Sequence, residues 1–213
     1  MTYLLLLCIL LFPVKASALD AFYVKHVIDG DTVILEDDRH VRYIGIDAPE
    51  IFHKENKAQP FGYAARNYNQ RIIGNKKIQL LYDQEKKDAY KRLLAYVFDP
   101  DKKFLNRLLL FKGYAYYLYV PPNTQQHKIL LKAQREAMTA KRGLWGKLKA
   151  REKIFIGNIN SKRFHLTHCS FGKRIRKKNR IEFKSKWDAF WEGYAPCKQC
   201  LSVGPLVGWA GDR

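Results

Sequence analysis

Residues 26–35 read His26-Val-Ile-Asp-Gly-Asp-Thr-Val-Ile-Leu35, with Asp-Gly-Asp between two runs rich in β-branched side chains. Asp-Gly in such a setting is a strong β-hairpin signal, because both residues accept the backbone angles of tight hairpin turns. The turn also places two carboxylates, Asp29 and Asp31, in a chain whose net charge is +19. The stretch therefore predicts a hairpin, and it raises the question of what these carboxylates bind.

The hairpin opens a series of short, alternating strands and amphipathic helices separated by Asp, Gly and Pro. Five strands and three helices within about 130 residues favour an α+β fold, in which a five-stranded OB-type barrel packs against helices. The predicted strands are Phe22–Ile28, Thr32–Glu36, His40–Ile46, Lys77–Tyr82 and Leu93–Phe98, and the predicted helices are Phe61–Ile73, Phe104–Phe111 and Gln125–Thr139.

The composition of the 213 residues restricts the class of partner. A hydrophobic content of 47% with 14% aromatic residues excludes global disorder. The 39 basic residues outnumber the 20 acidic ones, which favours a polyanionic partner: nucleic acid, an anionic membrane surface or an acidic glycan. A solvated basic surface without a partner is the alternative.

Charged residues collect at the ends of the predicted strands. Asp31, Asp47 and a turn carbonyl offer the oxygen ligands that Ca²⁺ prefers. Arg42 and Arg92 would repel each other at one site unless a phosphate lies between them. Glu50 then remains to orient or deprotonate a water. This set of residue types predicts metal-assisted hydrolysis of phosphodiesters, and Asp29 is interpreted as a turn residue rather than a ligand.

Three segments resemble the signature segments of staphylococcal (micrococcal, thermo-) nucleases. They are Ile28-Asp-Gly-Asp-Thr-Val33, Val41-Arg-Tyr-Ile-Gly-Ile-Asp-Ala-Pro-Glu50 and Asp88-Ala-Tyr-Lys-Arg-Leu-Leu-Ala-Tyr96. The three follow in the family's order and spacing, and the resemblance extends over residues 21–146. It implies an OB-fold barrel that hydrolyses DNA and RNA with Ca²⁺.

The resemblance also implies individual roles. Two aspartates and one backbone carbonyl would bind Ca²⁺, and a glutamate would act as general base or position the water. Two arginines would bind the phosphate and stabilise the transition state, and three tyrosines would contact the nucleotide by stacking that tolerates any base. An exposed strand face is the alternative for two of the tyrosines. The implied residues are Asp31, Asp47 and Ala48 (by its carbonyl) for Ca²⁺, Arg42, Glu50 and Arg92 for catalysis, and Tyr90, Tyr117 and Tyr119 for the nucleotide.

Three positions depart from the family pattern. Ala48 replaces a threonine of the prototype, which leaves a backbone ligand intact. Ala89 replaces a phosphate-binding lysine, so the change bears on the binding of a terminal phosphate. Lys91 replaces a glycine just before Arg92. The implied catalytic groups are all retained.

The N-terminus has the features of an export signal. Tyr3–Val14 is an apolar run of 12 residues, too short to span a bilayer comfortably, and Ala16-Ser-Ala18 fits a cleavage site. No Lys or Arg precedes the run, and an uncleaved hydrophobic anchor is the alternative. We therefore expect residues 1–18 to be a signal peptide and the mature protein to be secreted or periplasmic.

A second motif lies near the C-terminus. His165 and Cys169, followed by Cys197 and Cys200, have the spacing and the N/S donors of a structural, tetrahedral Zn²⁺ site. A Cys197–Cys200 disulfide is the alternative in an oxidising compartment. The stretch Phe155–Cys200 resembles the small metal-binding domain of Ada-type DNA-repair proteins, in which a Cys usually takes the place of His165. We expect few apolar residues here and a unit that needs its metal to fold.

Between the two ligand pairs lies a basic segment, Lys173-Arg-Ile-Arg-Lys-Lys-Asn-Arg180, in which six of eight residues are basic. Such a segment would anchor nucleic acid near the unit, and a merely solvated loop is the alternative. A strand at Ile181–Phe183 and a helix at Lys186–Trp191 are expected to complete the fold around the metal.

Together these features predict an exported, monomeric, Ca²⁺-dependent nuclease that cleaves DNA, RNA or both with little sequence preference. A non-catalytic OB-type binding module and a basic protein that binds anionic glycan or membrane are the rival hypotheses. The predicted parts are a signal peptide (1–18), a staphylococcal-nuclease-like OB-fold domain (19–148), a linker (149–156), an Ada-type zinc-binding domain (157–204) and a tail (205–213).

Overall fold

The computed structural model describes residues 20–51, 58–148 and 153–201. The predicted signal peptide (1–18) and tail (205–213) lie outside the described residues, as do positions 149–152 of the predicted linker. Within the described ranges, none of the helices has the length and apolar character that crossing a bilayer requires.

Five strands close into a barrel, which confirms the predicted α+β architecture. All neighbouring strands pair antiparallel except the third and the last along the chain, which pair in parallel. In barrel order the strands are β1 (Asp20–Val27), β2 (Thr32–Leu35), β3 (His40–Tyr43), β6 (Leu93–Phe98) and β5 (Lys77–Leu81).

The barrel closes because alternate side chains of each strand are apolar and point inward. In β3, Val41 and Tyr43 are buried while His40 is exposed, and in β6 Leu93, Ala95 and Val97 are all buried. Burial of such side chains contributes about 25 cal/mol for each Å² of apolar surface removed from water. The interior is therefore a packed core, and polar groups collect at its rim.

The predicted third strand, His40–Ile46, is divided in two. β3 ends at Tyr43, and β4 (Ile46–Asp47) leaves the barrel to pair antiparallel with β7 (Tyr116–Tyr117). Gly45 lies at the break with a φ of 77°, a conformation that a side chain disfavours. The break turns Asp47 away from the barrel ladder and towards Tyr116.

Helices pack against the barrel and against one another. The three predicted helices are present with slightly later starts, as α1 (Gly62–Ile73), α2 (Leu105–Phe111) and α3 (His127–Thr139). A further one-turn helix, α4 (Leu144–Lys147), follows α3 and was not predicted. The start of α1 packs closely on the chain just after β4, because a Cβ at Gly62 would lie 2.9 Å from the carbonyl oxygen of Glu50.

The C-terminal residues form a separate four-stranded sheet in the order β10-β8-β9-β11. The predicted strand and helix are present as β10 and α6. The elements are β8 (Phe155–Asn158), β9 (Arg163–Leu166), α5 (Ser170–Lys173), a 3₁₀ turn (Lys177–Asn179), β10 (Arg180–Phe183), α6 (Lys186–Trp191) and β11 (Ala195–Pro196).

The stretch Gly157–Ser161, where the predicted zinc-binding domain begins, is the end of β8 and the turn that follows it. A Cβ at Gly157 would lie 2.6 Å from the ring of Phe183 and 3.0 Å from that of Tyr194. The glycine therefore serves close packing rather than chain flexibility, and β8 already begins at Phe155.

The C-terminal unit shares a hydrophobic core with the barrel domain, and the expectation of few apolar residues was wrong. Its aromatic residues are scattered along the sequence and meet only in the fold. Phe190 contacts Trp145 of α4, with ring centroids 5.0 Å apart, and Tyr116 of β7 at 5.6 Å. The buried members of this second core are Tyr116, Ala137, Met138, Leu144, Trp145, Phe155, Phe164, Phe183, Ala189, Phe190, Tyr194, Ala195 and Leu201.

Candidate active site and metal centre

In the Asp29-Gly30-Asp31 turn, the carboxylate of Asp29 stabilises the turn, and the carboxylate of Asp31 belongs to the candidate site. Asp29 accepts a hydrogen bond from the backbone N–H of Asp31 at 2.9 Å, which makes it the turn residue of the pair. Gly30 allows the turn to approach its neighbours, because a Cβ there would lie 2.7 Å from the Cβ atoms of both Ala48 and Ala65. Asp31 is thereby held against the chain that carries Ala48.

Arg42 joins the two predicted Ca²⁺ ligands. Its Nε lies 3.2 Å from Asp31 Oδ1, and its Nη2 lies 2.8 Å from Asp47 Oδ1. Its Nη1 donates to the carbonyls of Tyr43 and Ile46, both at 2.8 Å. These hydrogen bonds fix the orientation of the guanidinium. Its positive charge lies between the carboxylates of Asp31 and Asp47, which would otherwise repel each other.

Ala48 lies next to this cluster. Its backbone N–H donates to Asp31 Oδ2 at 2.6 Å, and the residue is buried. The structure thus places all three predicted Ca²⁺ residues together, with Ala48 in contact through its amide.

Tyr116 is a member of the site that the sequence did not indicate. Its hydroxyl donates to Asp47 Oδ2 at 2.7 Å, and the side chain is buried. The pairing of β4 with β7 puts Asp47 directly opposite Tyr116. The hydroxyl fixes the oxygen of Asp47 that Arg42 does not contact.

The carboxylates differ in protonation behaviour. Burial raises the pKa of Asp31 to about 7, although Arg42 opposes the rise. Burial acts on Asp47 in the same direction, but Arg42, Lys198 and Tyr116 outweigh it and hold the pKa of Asp47 below its ordinary value. Two buried carboxylates with one buried guanidinium leave negative charge uncompensated, so the donor set fits a divalent cation.

Glu50 lies at the edge of the cluster and is half-buried. Its backbone N–H donates to the side chain of Gln59 at 2.9 Å. Burial raises the pKa of its carboxyl, and the charges of Asp31 and Asp47 raise it further. A base whose pKa moves towards neutrality is better suited to accept a proton from water.

A cavity of about 410 Å³ opens above these groups. It brings together Arg42, Asp47, Glu50 and Arg92, which the sequence had placed on different elements. Its described lining is Arg42, Tyr43, Ile44, Gly45, Asp47, Glu50, Glu85, Lys87, Asp88, Ala89, Arg92, Leu94, Leu118, Val120, Asn123 and Lys198.

Arg92 reaches the cavity from the chain just before β6. Asp88, another residue that sequence reasoning missed, accepts from Arg92 Nε at 2.8 Å and lies 2.7 Å from its Nη2. The same aspartate accepts from the backbone N–H of Arg92 at 3.0 Å. Asp88 therefore orients Arg92. Their spacing of four residues is the feature of the sequence that could have indicated this ion pair.

The nucleotide-facing role of Tyr117 is not supported. Tyr117 is 2% exposed, and its hydroxyl is hydrogen-bonded to His127 Nδ1 at 2.6 Å. Tyr119 is half-buried, with its ring 6.1 Å from that of His127. Among the described residues that line the cavity, this segment contributes Leu118 and Val120 instead. Ala115, Tyr116 and Tyr117 are all buried, so Tyr117 does not lie on an exposed strand face either.

Tyr90 is 81% exposed, with Arg92 5.6 Å from its ring centre. A second, more open groove of about 620 Å³ runs from there past Lys91, Arg39 and His40. A tyrosine ring beside basic side chains is suited to a nucleotide and its phosphates. Tyr90 is therefore the one predicted tyrosine with an accessible ring.

A candidate metal centre lies in the C-terminal unit. The donor atoms of His165, Cys169, Cys197 and Cys200 all lie within 4.8 Å of one another. The three cysteines form no disulfide, and His165, Cys169 and Cys197 are buried. Burial and the neighbouring thiols raise the pKa of Cys200 to about 12. Crowded thiols of this kind, with one imidazole, fit Zn²⁺, which favours their deprotonated forms.

Comparisons with known proteins agree with this geometry. A family model described as staphylococcal nuclease homologue matches residues 40–147. A thermonuclease of Staphylococcus intermedius is 39% identical over 140 residues, covering 62% of this chain and 83% of that protein. Endonuclease YncB of Bacillus subtilis (strain 168) is 35% identical over 125 residues, covering 56% of this chain and 59% of that protein. The chain therefore belongs to the staphylococcal nuclease family, as an enzyme that hydrolyses phosphodiester bonds.

Proposed function

We propose that this nuclease is an exported, Ca²⁺-dependent monomer that cleaves DNA, RNA or both with little sequence preference. We propose further that its C-terminal unit contains structural Zn²⁺ and adds affinity for nucleic acid. The observation that carries the proposal is the buried Asp31–Arg42–Asp47 cluster below a cavity that Glu50 and Arg92 also line. A binding module would not need this arrangement of paired carboxylates, base and cations.

Ca²⁺ would be held by Asp31, Asp47 and the carbonyl of Ala48. When bound, it supplies a Lewis acid that polarises a phosphate oxygen and neutralises charge. Arg42 and Arg92, which both line the cavity, orient the phosphate. Removing one such preorganised group typically costs about 10²–10³ in rate.

Glu50 accepts or directs the proton of the attacking water. Its raised pKa follows from burial beside Asp31 and Asp47, and this places it closer to the pH at which it works. Sequence tolerance is supported by the reliance on phosphate contacts, because phosphates carry no sequence information directly.

The first experiment is cleavage of single-stranded DNA by the mature chain, with Ca²⁺ and with a chelator. We expect Ca²⁺-dependent cleavage that falls by about 10² or more in Glu50→Gln. Glu36→Gln, which changes an exposed glutamate outside the cavity lining, should leave the rate unchanged. Binding without Ca²⁺-dependent cleavage would leave only a non-catalytic binding module.

Zinc content is tested by elemental analysis of the purified chain together with a count of free thiols. We expect about one zinc ion per chain, since four N/S donors form one tetrahedral site. Cys197→Ser should lower the zinc content. A metal-free protein with a Cys197–Cys200 disulfide would support the alternative interpretation.

The contribution of the C-terminal unit to affinity is proposed from its basic segment, Lys173–Arg180. Replacing four of its basic residues by alanine should weaken single-stranded DNA binding most strongly at low salt, because each phosphate contact releases counterions. An unchanged dissociation constant would identify the segment as a solvated loop.

Export is proposed from residues 1–18 alone. Mass spectrometry of the secreted or periplasmic protein should find an N-terminus near Leu19, where a small-residue cleavage site ends. An intact N-terminus in the membrane fraction would indicate an uncleaved anchor.

A further inference from the structure

The C-terminal unit inserts a cation into the nuclease site. Lys198 lies between two of the candidate zinc ligands, Cys197 and Cys200, yet its Nζ is 3.5 Å from Asp47 Oδ2. Its side chain lines the same cavity as Glu50 and Arg92. A residue that the sequence presents as a spacer of the Cys-x-x-Cys motif is therefore part of the wall above the catalytic cluster.

The backbone around Lys198 is firmly positioned. Cys197 donates its N–H to the carbonyl of Phe164 at 2.9 Å, and it accepts from the N–H of Leu201 at 2.8 Å. Arg163 donates to the carbonyl of Pro196 at 3.0 Å. β11 is paired to β9, and the core shared with the barrel domain fixes the unit against the site. These contacts fix the backbone of Lys198 beside the cavity.

The lysine side chain is held much less tightly than its backbone. It is 65% exposed, and Asp47 is already bonded to Arg42 at 2.8 Å and to Tyr116 at 2.7 Å. A contact of 3.5 Å with an exposed ammonium is a weak ion pair. The ammonium can therefore leave Asp47 for a stronger anion in the cavity.

The cavity has cationic side chains around it. Arg42, Lys87 and Arg92 line it together with Lys198. A lysine is a compact point charge that suits a phosphate without demanding a fixed geometry. Lys198 brings such a charge to this cavity from a different part of the chain.

We propose that Lys198 is a substrate-binding residue of the nuclease site. Its ammonium binds the phosphate that adjoins the scissile phosphate along the nucleic-acid strand. The inference rests on the proposed function, since it assigns a subsite of the same cavity. It also gives the C-terminal unit a direct part in substrate binding, besides the basic segment Lys173–Arg180.

The test compares Lys198→Ala, Lys198→Arg and Lys132→Ala with the unchanged protein. Lys132 is exposed on α3, lies outside the described cavity lining and provides the same change in charge. Cleavage of a short single-stranded DNA gives kcat and KM, and binding of the same DNA in chelator gives a dissociation constant without turnover. Each is measured with and without a 5′-phosphate on the DNA.

For Lys198→Ala we expect KM and the dissociation constant to rise about fivefold, with little change in kcat. The slope of the logarithm of affinity against that of salt concentration should fall by about 0.7, the value for one phosphate contact on a single strand. Lys198→Arg should retain most of the affinity. A defect confined to the phosphorylated DNA identifies a terminal phosphate, and a defect on both DNAs identifies an internal one.

Two results would overturn the inference. If Lys198→Ala behaves like Lys132→Ala, Lys198 does not bind the substrate. If Lys198→Ala cleaves faster at lower Ca²⁺, the ammonium of Lys198 competes with Ca²⁺ at Asp47 and does not serve substrate binding. Failure of the proposed function is a separate outcome, because it would show as a lack of Ca²⁺-dependent cleavage in the unchanged protein.

Discussion

At the scale of single residues, one buried guanidinium organises the candidate active site. Arg42 contacts both Asp31 and Asp47 and also two backbone carbonyls. A buried charge without partners would be strongly unfavourable, and each group here satisfies another. The site is therefore preorganised by the fold, and it retains negative charge for a cation.

Asp31→Asn tests the pH dependence that burial imposes on the cluster. The pKa of Asp31 is raised from 3.8 to about 7 in the folded, metal-free protein. The folded chain then holds a proton that the unfolded chain releases between those values. The resulting stabilisation is present below the lower value and is lost as pH rises through the higher one.

We therefore expect the free energy of unfolding of the unchanged protein, measured by urea denaturation in chelator, to decline from about pH 4 to about pH 7 relative to Asp31→Asn. Added Ca²⁺ should remove or reverse the decline, because the ion requires the ionised carboxylate. A constant difference between the two proteins across this range would contradict the prediction.

Tyr116→Phe tests the residue that fixes Asp47. Loss of the 2.7 Å hydrogen bond removes one of the groups that hold the pKa of Asp47 low. We expect a loss of about 1–2 kcal/mol in stability and a higher Ca²⁺ requirement for cleavage. Tyr96→Phe is the matched control, because this buried hydroxyl donates to Asp83 at 2.9 Å and lies outside the described cavity lining. Equal Ca²⁺ requirements in the two variants would contradict a role for Tyr116 in the site.

At the scale of elements, short strands and turns position the residues of the site. β4 and β7 have two residues each, yet their pairing sets Tyr116 opposite Asp47. The Asp-Gly-Asp turn similarly sets Asp31 against Ala48 by approaching α1 and the chain after β4. Strand ends and turns position the chemistry because the barrel holds them in place.

Gly30→Ala tests that close approach. The added Cβ would lie 2.7 Å from the Cβ atoms of Ala48 and Ala65, so we expect a loss of about 1–3 kcal/mol in stability from overpacking and slower cleavage as Asp31 is displaced. Ala65→Gly removes one of the two clashes. In urea denaturation, the double variant should lose less stability than the sum of the single variants, and additive losses would contradict the packing explanation.

At the scale of the whole molecule, the two units are connected by a common core and by buried polar bonds. Gln134 of α3 is fully buried, donates to the carbonyl of Phe190 at 2.6 Å and accepts from the N–H of Tyr117 at 2.6 Å. One side chain therefore connects β7, which carries Tyr116, to helix α6 of the C-terminal unit. The Asp31–Arg42–Asp47 cluster and the C-terminal unit are parts of one packed structure.

Gln134→Ala tests this connection. It would leave the buried N–H of Tyr117 unpaired, at a cost of about 1–3 kcal/mol. The carbonyl of Phe190 would keep only its bond from the N–H of Gly193 at 3.0 Å. We expect a lower melting temperature and faster limited proteolysis within the C-terminal unit. Gln125→Ala, which truncates an exposed side chain, should change neither. If Gln134→Ala melts like the unchanged protein, the shared core alone holds the units together.

The sequence by itself determined the barrel and indicated most residues of the candidate site. The alternation in His40–Tyr43 and Leu93–Phe98 is a local property, so it predicts strands whatever lies elsewhere in the chain. Arg42, Asp47, Glu50 and Arg92 meet in one cavity because strand ends of a closed barrel lie close together. These predictions needed only local pattern and the geometry of a small barrel.

Only the tertiary structure decided which face of the Tyr116–Tyr119 segment meets the cavity, because the sequence pattern does not distinguish the two faces. It alone brought Tyr116 to Asp47, 69 residues earlier in the chain, and Lys198 to the same carboxylate. Such contacts depend on how two units pack, and that packing is set by aromatic residues dispersed along the chain. Local sequence patterns carry no information about these distances, and for this reason the link between the C-terminal unit and the active site emerged only in three dimensions.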